Sequence, residues 1–268
     1  MQRMKGKTVL ITGGASGIGK IMARLLLERE AKVILWDINK LKIDETISEF
    51  SSKGMIVGFI VDVSDVHQIQ ETAKKVKQEI GAVDVLINNA GIVAGKYFHE
   101  HTTLDISKTM AINANAPMLI TNEFLSDMLD QNSGHICNIA SSGGLISNPK
   151  MTVYAASKWS VIGWSDSLRL EMKLLKKNIN VTTIMPYYIN TGMFDGVKSK
   201  IPILAPETAA LAIIRAIEQK KRMVTIPKYM YRLTRIGQGF MSINVFDWFA
   251  GKVLGIYKTM EHFTGHKK

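Results

Sequence analysis

Thr8-Val-Leu-Ile-Thr-Gly-Gly-Ala-Ser-Gly-Ile-Gly-Lys20 decides how the rest of this chain is read. Thr8–Thr12 has the composition of a buried strand, and a helical pattern sets in from Gly17. Between them Gly13, Gly17 and Gly19 follow the spacing G-x-x-x-G-x-G. Positions without a Cβ let the backbone turn sharply and approach a pyrophosphate, and a helix N-terminus offers it free N–H groups and a favourable dipole. A glycine cluster alone is often only a turn. Here the strand before it and the helix after it supply the context of a dinucleotide cradle, with Ser16 and Ile18 in the same loop.

Outward from this loop, short β-branched runs alternate with longer helical patterns, the signature of stacked βαβ units. The predicted strands are 8–11, 32–36, 55–61, 83–87, 134–140, 180–185 and 223–226. Predicted helices fill 17–29, 40–51, 66–80, 104–129, 153–176 and 206–219. Right-handed crossovers would wind these into one α/β domain with a doubly wound, mostly parallel seven-stranded sheet over residues 1–227. A basic C-terminal extension, 228–268, would follow.

Asp37 ends the second strand, 18 residues beyond Gly19, where a carboxylate would hydrogen-bond the adenosine ribose hydroxyls. The same charge would repel a 2′-phosphate, and Ile38 and Asn39 offer no cation to receive one, so NAD is expected over NADP. Asp62 and Val63 close the third strand, beside the expected adenine. Either aspartate could instead cap a helix. Asn88-Asn89-Ala90-Gly91 follows the fourth strand and is expected to line the cofactor and tie strands together, with an Asn-Gly type turn as the plainer alternative.

The chemistry concentrates in Ser141 to Lys158. Tyr154 and Lys158 are four apart on a predicted helix and share one face. A phenol ionises near pH 10, so an adjacent ammonium and an oxidised nicotinamide are expected to lower its pKa toward a useful base. Ser141 stands 13 residues before Tyr154.

In combination these features resemble the short-chain dehydrogenase/reductase family. The matching pieces are Thr12–Gly19, Asp62, Asn88–Gly91, Asn113, Ser141, Tyr154, Lys158 and Pro186–Thr191, spanning nearly all of the chain up to Pro227. The resemblance implies a Rossmann-type fold in which Ser141 polarises the substrate oxygen and Asn113 anchors a water relay to Lys158. It places Pro186, Ile189 and Thr191 at the nicotinamide. One departure is Tyr187, where the family commonly has glycine after proline. The run Tyr188–Gly196 is similar to the branch of retinol dehydrogenases and 17β-hydroxysteroid dehydrogenase type 11-like enzymes. That branch implies a retinoid, steroid or fatty alcohol as substrate. Its members usually carry an N-terminal membrane anchor, and no such segment opens this sequence.

An apolar substrate pocket is expected from Ile146, Tyr187, Tyr188, Met193 and Phe194, which suits a small hydrophobic alcohol or carbonyl. Rival readings are an NADPH-dependent 3-oxoacyl thioester reductase and a non-catalytic NAD-sensing scaffold. No metal site is expected. The helices at 104–129 and 153–176 resemble the family's dimer-forming pair, so a homodimer or homotetramer is expected.

The chain has 268 residues and a net charge of +11, of which +8 falls between Lys220 and Lys268. Phe246, Phe249, Ala250, Val253, Tyr257, Met260 and Phe263 recur there at helical spacing. Such a stripe packs on its own domain or a partner subunit, or lies in a membrane interface. No nucleic-acid-binding module accompanies the charge. Without an apolar run long enough to span a bilayer, a cytoplasmic protein, peripheral on a membrane surface at most, is expected. The single cysteine, Cys137, sits in an apolar run and reads as core packing.

Overall fold

Residues 2–265 are described by a computed structural model. The apolar runs form β1 (Thr8–Thr12), β2 (Lys32–Asp37), β3 (Ile56–Ile60), β4 (Val85–Asn88), β5 (Gly134–Ile139), β6 (Ile179–Pro186) and β7 (Met223–Ile226). They make one parallel sheet in the order β3-β2-β1-β4-β5-β6-β7, with Val9 opposite Val33 on one side and Val85 on the other. The winding direction reverses between β1 and β4. A doubly wound sheet takes its ligand in the crevice outside the strand ends at that switch point.

Parallel strands need crossovers, and the helices supply them on both faces. On one face lie α1 (Gly17–Leu27), α2 (Lys40–Phe50) and α7 (Pro206–Glu218), where Val9, Ile11 and Cys137 pack with Met22, Leu26 and Ile213. On the other lie α3 (Val66–Glu79), α5 (Ala116–Asp130) and α6 (Thr152–Leu174), where Leu10 and Trp36 pack with Ile120 and Phe124. Adjacent β1 side chains thus feed opposite cores, and each large aliphatic buried this way contributes about 1.5–3 kcal/mol. Cys137 is fully buried, and burial pushes its thiol pKa up.

The single helix expected over 104–129 is two: α4 (Thr103–Met110) and α5, joined by a π-helical turn at Ala111–Asn115. Pro117, in the first turn of α5, has no N–H to return to the Asn113 carbonyl four residues back, so the ladder opens there.

The tail also differs from expectation. Its regular helix is α8 (Tyr229–Phe240), ahead of the apolar stripe, followed by a short α9 (Ile243–Trp248) and a π-turn at Phe249–Val253. Gly255, at φ +68°, then breaks the path before a 3-10 turn at Ile256–Lys258. The stripe is therefore divided. Ala250 and Met260 are buried, whereas Phe249 and Val253 face solvent. Lys267 and Lys268, counted in the tail's charge, lie outside the described residues.

Candidate active site

The glycine loop forms the floor of the crevice. Gly17 has φ +51°, and a Cβ on Gly19 would stand 2.1 Å from the Gly13 carbonyl oxygen, so neither position tolerates a side chain. Ser16, the N-cap of α1, makes no side-chain cap bond, which leaves the first N–H groups of α1 free for an anion. The Thr12 hydroxyl accepts from the N–H of Asn89 at 2.9 Å and of Ala90 at 3.0 Å. Asn89 Nδ2 donates back to the carbonyls of Thr12 and Gly13. The loop after β1 and the end of β4 are thereby fixed to one another.

A cleft of about 270 Å³ runs over this floor. Its walls include Gly13, Ser16, Gly17 and Ile18, then Asn89, Ala90 and Gly91, then Tyr154 and Lys158, and finally Pro186, Ile189 and Thr191. Gly-rich backbone, an uncapped helix start and a long groove fit a dinucleotide. Asp37 accepts from the Ala15 and Asn39 N–H groups at 3.1 Å each, which holds its carboxylate at the end of β2. It is not a cap, because Asn39 caps α2. Asp62 likewise accepts from Ser64, and Asp65 caps α3. Neither Asp37 nor Asp62 nor Val63 is among the residues lining the cleft, whereas Lys42, one turn into α2, is.

Asn88 belongs to the frame. Its Nδ2 donates to Asn138 Oδ1 at 2.8 Å and Thr121 Oγ1 at 3.1 Å, linking β4, β5 and α5 behind the cleft.

At the far end of the cleft β5, α4–α5 and α6 bring four polar side chains together. Ser141 follows β5, and its Oγ accepts from the Gly143 N–H at 3.0 Å. A Cβ on Gly143 would touch both Ser141 Oγ and Tyr154 Cε1, at 3.5 and 3.4 Å, so the serine oxygen and the phenol ring flank one small residue. Lys158 Nζ donates to the Ile139 carbonyl at 2.9 Å and lies 5.7 Å from the Tyr154 ring centroid. Asn113, in the π-turn, brackets Ile92, its Oδ1 accepting from Ile92 N and its Nδ2 donating to Ile92 O, both at 2.9 Å. Its Nδ2 also donates to Ser157 Oγ at 3.1 Å.

The polypeptide's own surroundings act against the expected lowering of the Tyr154 phenol: burial pushes it up to about 12, against a smaller opposing effect of the Ser141 hydroxyl, which leaves the lowering to the charge of an oxidised nicotinamide. Burial also pulls Lys158 down to about 8. For both groups desolvation of the charged form is the dominant cause.

Beyond Ser141 a cavity of about 30 Å³ is lined by Ile146, Tyr187, Tyr188 and Phe194, as expected. Met193 lines the adjoining cleft, together with Tyr187 and Phe194, which border both spaces. Phe194 stands edge-on to Tyr154, at 6.0 Å between centroids, and to Tyr188, at 5.0 Å. Tyr187 is buried, and its hydroxyl is 2.8 Å from Ser199 Oγ.

The profile described as short chain dehydrogenase matches residues 7–202. The chain belongs to the short-chain dehydrogenase family. Mouse epidermal retinol dehydrogenase 2 is 34% identical over 274 residues, covering 100% of this chain and 88% of the relative. Human estradiol 17-beta-dehydrogenase 11 is 35% identical over 234 residues, covering 86% and 78%. A short-chain dehydrogenase from Burkholderia phymatum, solved in complex with NAD, has the same fold, with a TM-score of 0.81 at 24% identity over 89% of this chain and 95% of that one. This short-chain dehydrogenase is accordingly an oxidoreductase of CH–OH groups.

Several lining residues of this dehydrogenase have no sequence signal. Met230 and Ile256 come from the tail to wall the inner cavity. Asn148 joins them, donating to Tyr188 Oη at 3.0 Å and Thr259 Oγ1 at 2.8 Å. The tail passes under the segment after β6, where Thr264 N donates to the Asp195 carbonyl at 2.9 Å. Lys42 could have been found by reading one helical turn past Asp37.

Proposed function

We propose that this chain interconverts a lipophilic alcohol and its carbonyl with NAD(H). The observation that carries the reading is the burial of Tyr154, Ser141 and Lys158 where the dinucleotide cleft meets an apolar cavity. When bound, the nicotinamide supplies or takes up the hydride.

Tyr154 gives a proton to the substrate oxygen in reduction and takes it back in oxidation. A phenol held at about 12 is protonated at neutral pH, so the protein by itself is set to donate. Ser141 donates a hydrogen bond to the same oxygen. Lys158, positioned by the Ile139 carbonyl, would hold the ribose hydroxyls of the bound cofactor with its remaining donors. Asn113 holds Ile92 and the start of α6 in place, and is the proposed anchor of a proton relay. Asp37, held at the end of β2 by the Ala15 and Asn39 N–H groups, is the carboxylate that would favour NAD over a 2′-phosphorylated cofactor.

The apolar lining of the inner cavity, and the names of the retinol and estradiol dehydrogenases among the relatives, support a retinoid-, steroid- or fatty-alcohol-like substrate. The inner cavity of about 30 Å³ shares Ser141, Tyr187 and Phe194 with the 270 Å³ cleft, so a molecule of that size would extend across the junction of the two. A second copy of the chain is the proposed partner of α4–α6, where Leu104, Trp159, Leu170 and Leu174 remain exposed. A lipid surface is the proposed partner of the tail.

One observation favours the NADPH-dependent thioester reductase: Lys42 in the cleft wall offers a cation to a 2′-phosphate. Steady-state turnover on long-chain alcohols, retinol, estradiol and a 3-oxoacyl thioester, each with both cofactors, decides between them. Activity confined to the thioester with NADPH would overturn the proposal.

A further inference from the structure

α8 presents two apolar faces, and only one is covered. Met230, Thr234 and Gly237 turn inward, and Met230 forms part of the substrate cavity wall. Tyr229, Leu233, Ile236 and Phe240 fall within one narrow stripe of the helical wheel and all face solvent, Phe240 with 88% of its surface exposed. α9 extends the patch with Ile243 at 79% and Trp248 at 56% exposure. Isolated exposed apolar residues are ordinary, but a contiguous aromatic and aliphatic patch on two successive helices marks an interaction surface.

The flank of this stripe is basic. Lys228, Arg232 and Arg235 line the side of α8 next to it, and α8 contains no carboxylate. Arg235 also enters an open groove of about 750 Å³ together with Arg169, Lys221, Arg222 and Tyr231. Arg169 is paired with Asp166, but among the described residues Lys221, Arg222 and Arg235 take part in no ion pair. Asp247, the one acid of α9, accepts from the Tyr257 hydroxyl at 2.6 Å. A symmetric contact with a second copy would set these cations against themselves. An anionic bilayer complements both features, with apolar side chains in the acyl boundary, Trp248 at the headgroup level and cations against phosphate.

We infer that α8 and α9 dock the protein on an anionic membrane, with lipid headgroups seated in the Arg222–Arg235 groove. The inner face of the same helix then forms one wall of the site that receives a membrane-dissolved alcohol. This extends the proposed lipid contact of the tail and rests on it, but does not depend on which alcohol reacts.

The test is co-sedimentation of the full chain with phosphatidylcholine vesicles, with and without phosphatidylserine, alongside turnover on a short water-soluble alcohol. Binding is expected only with phosphatidylserine and is expected to weaken with salt. Arg222→Ala and Arg235→Ala should each lower partitioning about fivefold. Leu233→Ser with Ile236→Ser should abolish it, and soluble turnover should persist in all variants because these side chains point away from the cleft. Equal binding to neutral vesicles, or none to either, overturns the inference. So does a stripe variant that leaves vesicle binding intact but turns an oligomer into a monomer by sedimentation velocity, because the occupant is then a second copy. Loss of soluble turnover in the unmodified chain would count against the proposed reaction and not against the membrane face.

Discussion

The Lys158 ammonium is held by the Ile139 carbonyl at 2.9 Å and stands 5.7 Å from the centroid of the Tyr154 ring, with no hydrogen bond between the two side chains. Backbone, not the phenol, fixes the cation. Both groups are buried, and both have pKa values moved toward their neutral forms.

Replacing Tyr154 with phenylalanine removes the proposed proton donor and keeps the ring that meets Phe194. The expected outcome is a fall in kcat of about 10²–10⁴-fold, the range for general acid–base groups. NADH affinity, followed by fluorescence, should stay within a few-fold of the parent. A variant with undiminished turnover would remove Tyr154 from the chemistry.

For Lys158 the sign of the pH effect follows from a folded value of about 8, below the ordinary 10.5. Between these values the unfolded chain binds more protons, so stability rises with pH across that window. The rise is on the order of 3 kcal/mol. Tyr154, raised from 10 to about 12, makes stability fall again above pH 10. Urea unfolding of Lys158→Met at several pH values should lack the first rise, and the variant should bind dinucleotide more weakly.

Under the proposed function Asp37 and Lys42 would make opposite demands on the cofactor. Asp37→Ala should improve NADPH affinity relative to NADH, and Lys42→Ala should weaken NADPH alone. Dissociation constants from fluorescence titration measure both directly. An Asp37→Ala protein with unchanged preference would show that its carboxylate acts only on Ala15 and Asn39.

Thr12→Val strands two N–H groups, those of Asn89 and Ala90, that share one hydroxyl. Each buried unmet donor costs about 1–3 kcal/mol. The variant should melt earlier and bind the dinucleotide less well, because the glycine loop loses its tie to β4.

The sheet and the cleft were readable because each rests on local signals. Thr8–Gly19 carries strand, turn and helix start in consecutive residues, and Tyr154 and Lys158 share a face by spacing alone. Three features were not local. The π-turn at Asn113 follows from a proline four residues later. The phenol's upward shift comes from burial by several elements, whereas the sequence shows only its cationic neighbour. The inner cavity depends on where Met230 and Ile256 land after the chain turns at Gly255, and helical spacing could not foresee that break.

Met230 and Ile256 reach the inner cavity from beyond β7, after every strand of the sheet is complete, and Thr259 holds Asn148 and Tyr188 of its wall. Under the proposed function, selectivity is therefore shared between the end of the polypeptide and the wall built by Ile146, Asn148 and Met151 before α6 and Tyr187, Tyr188 and Phe194 after β6. Mutations at the chain end can retune which molecules are accepted without disturbing the electron-transfer apparatus, so descendants of this scaffold can diversify in diet while keeping one engine.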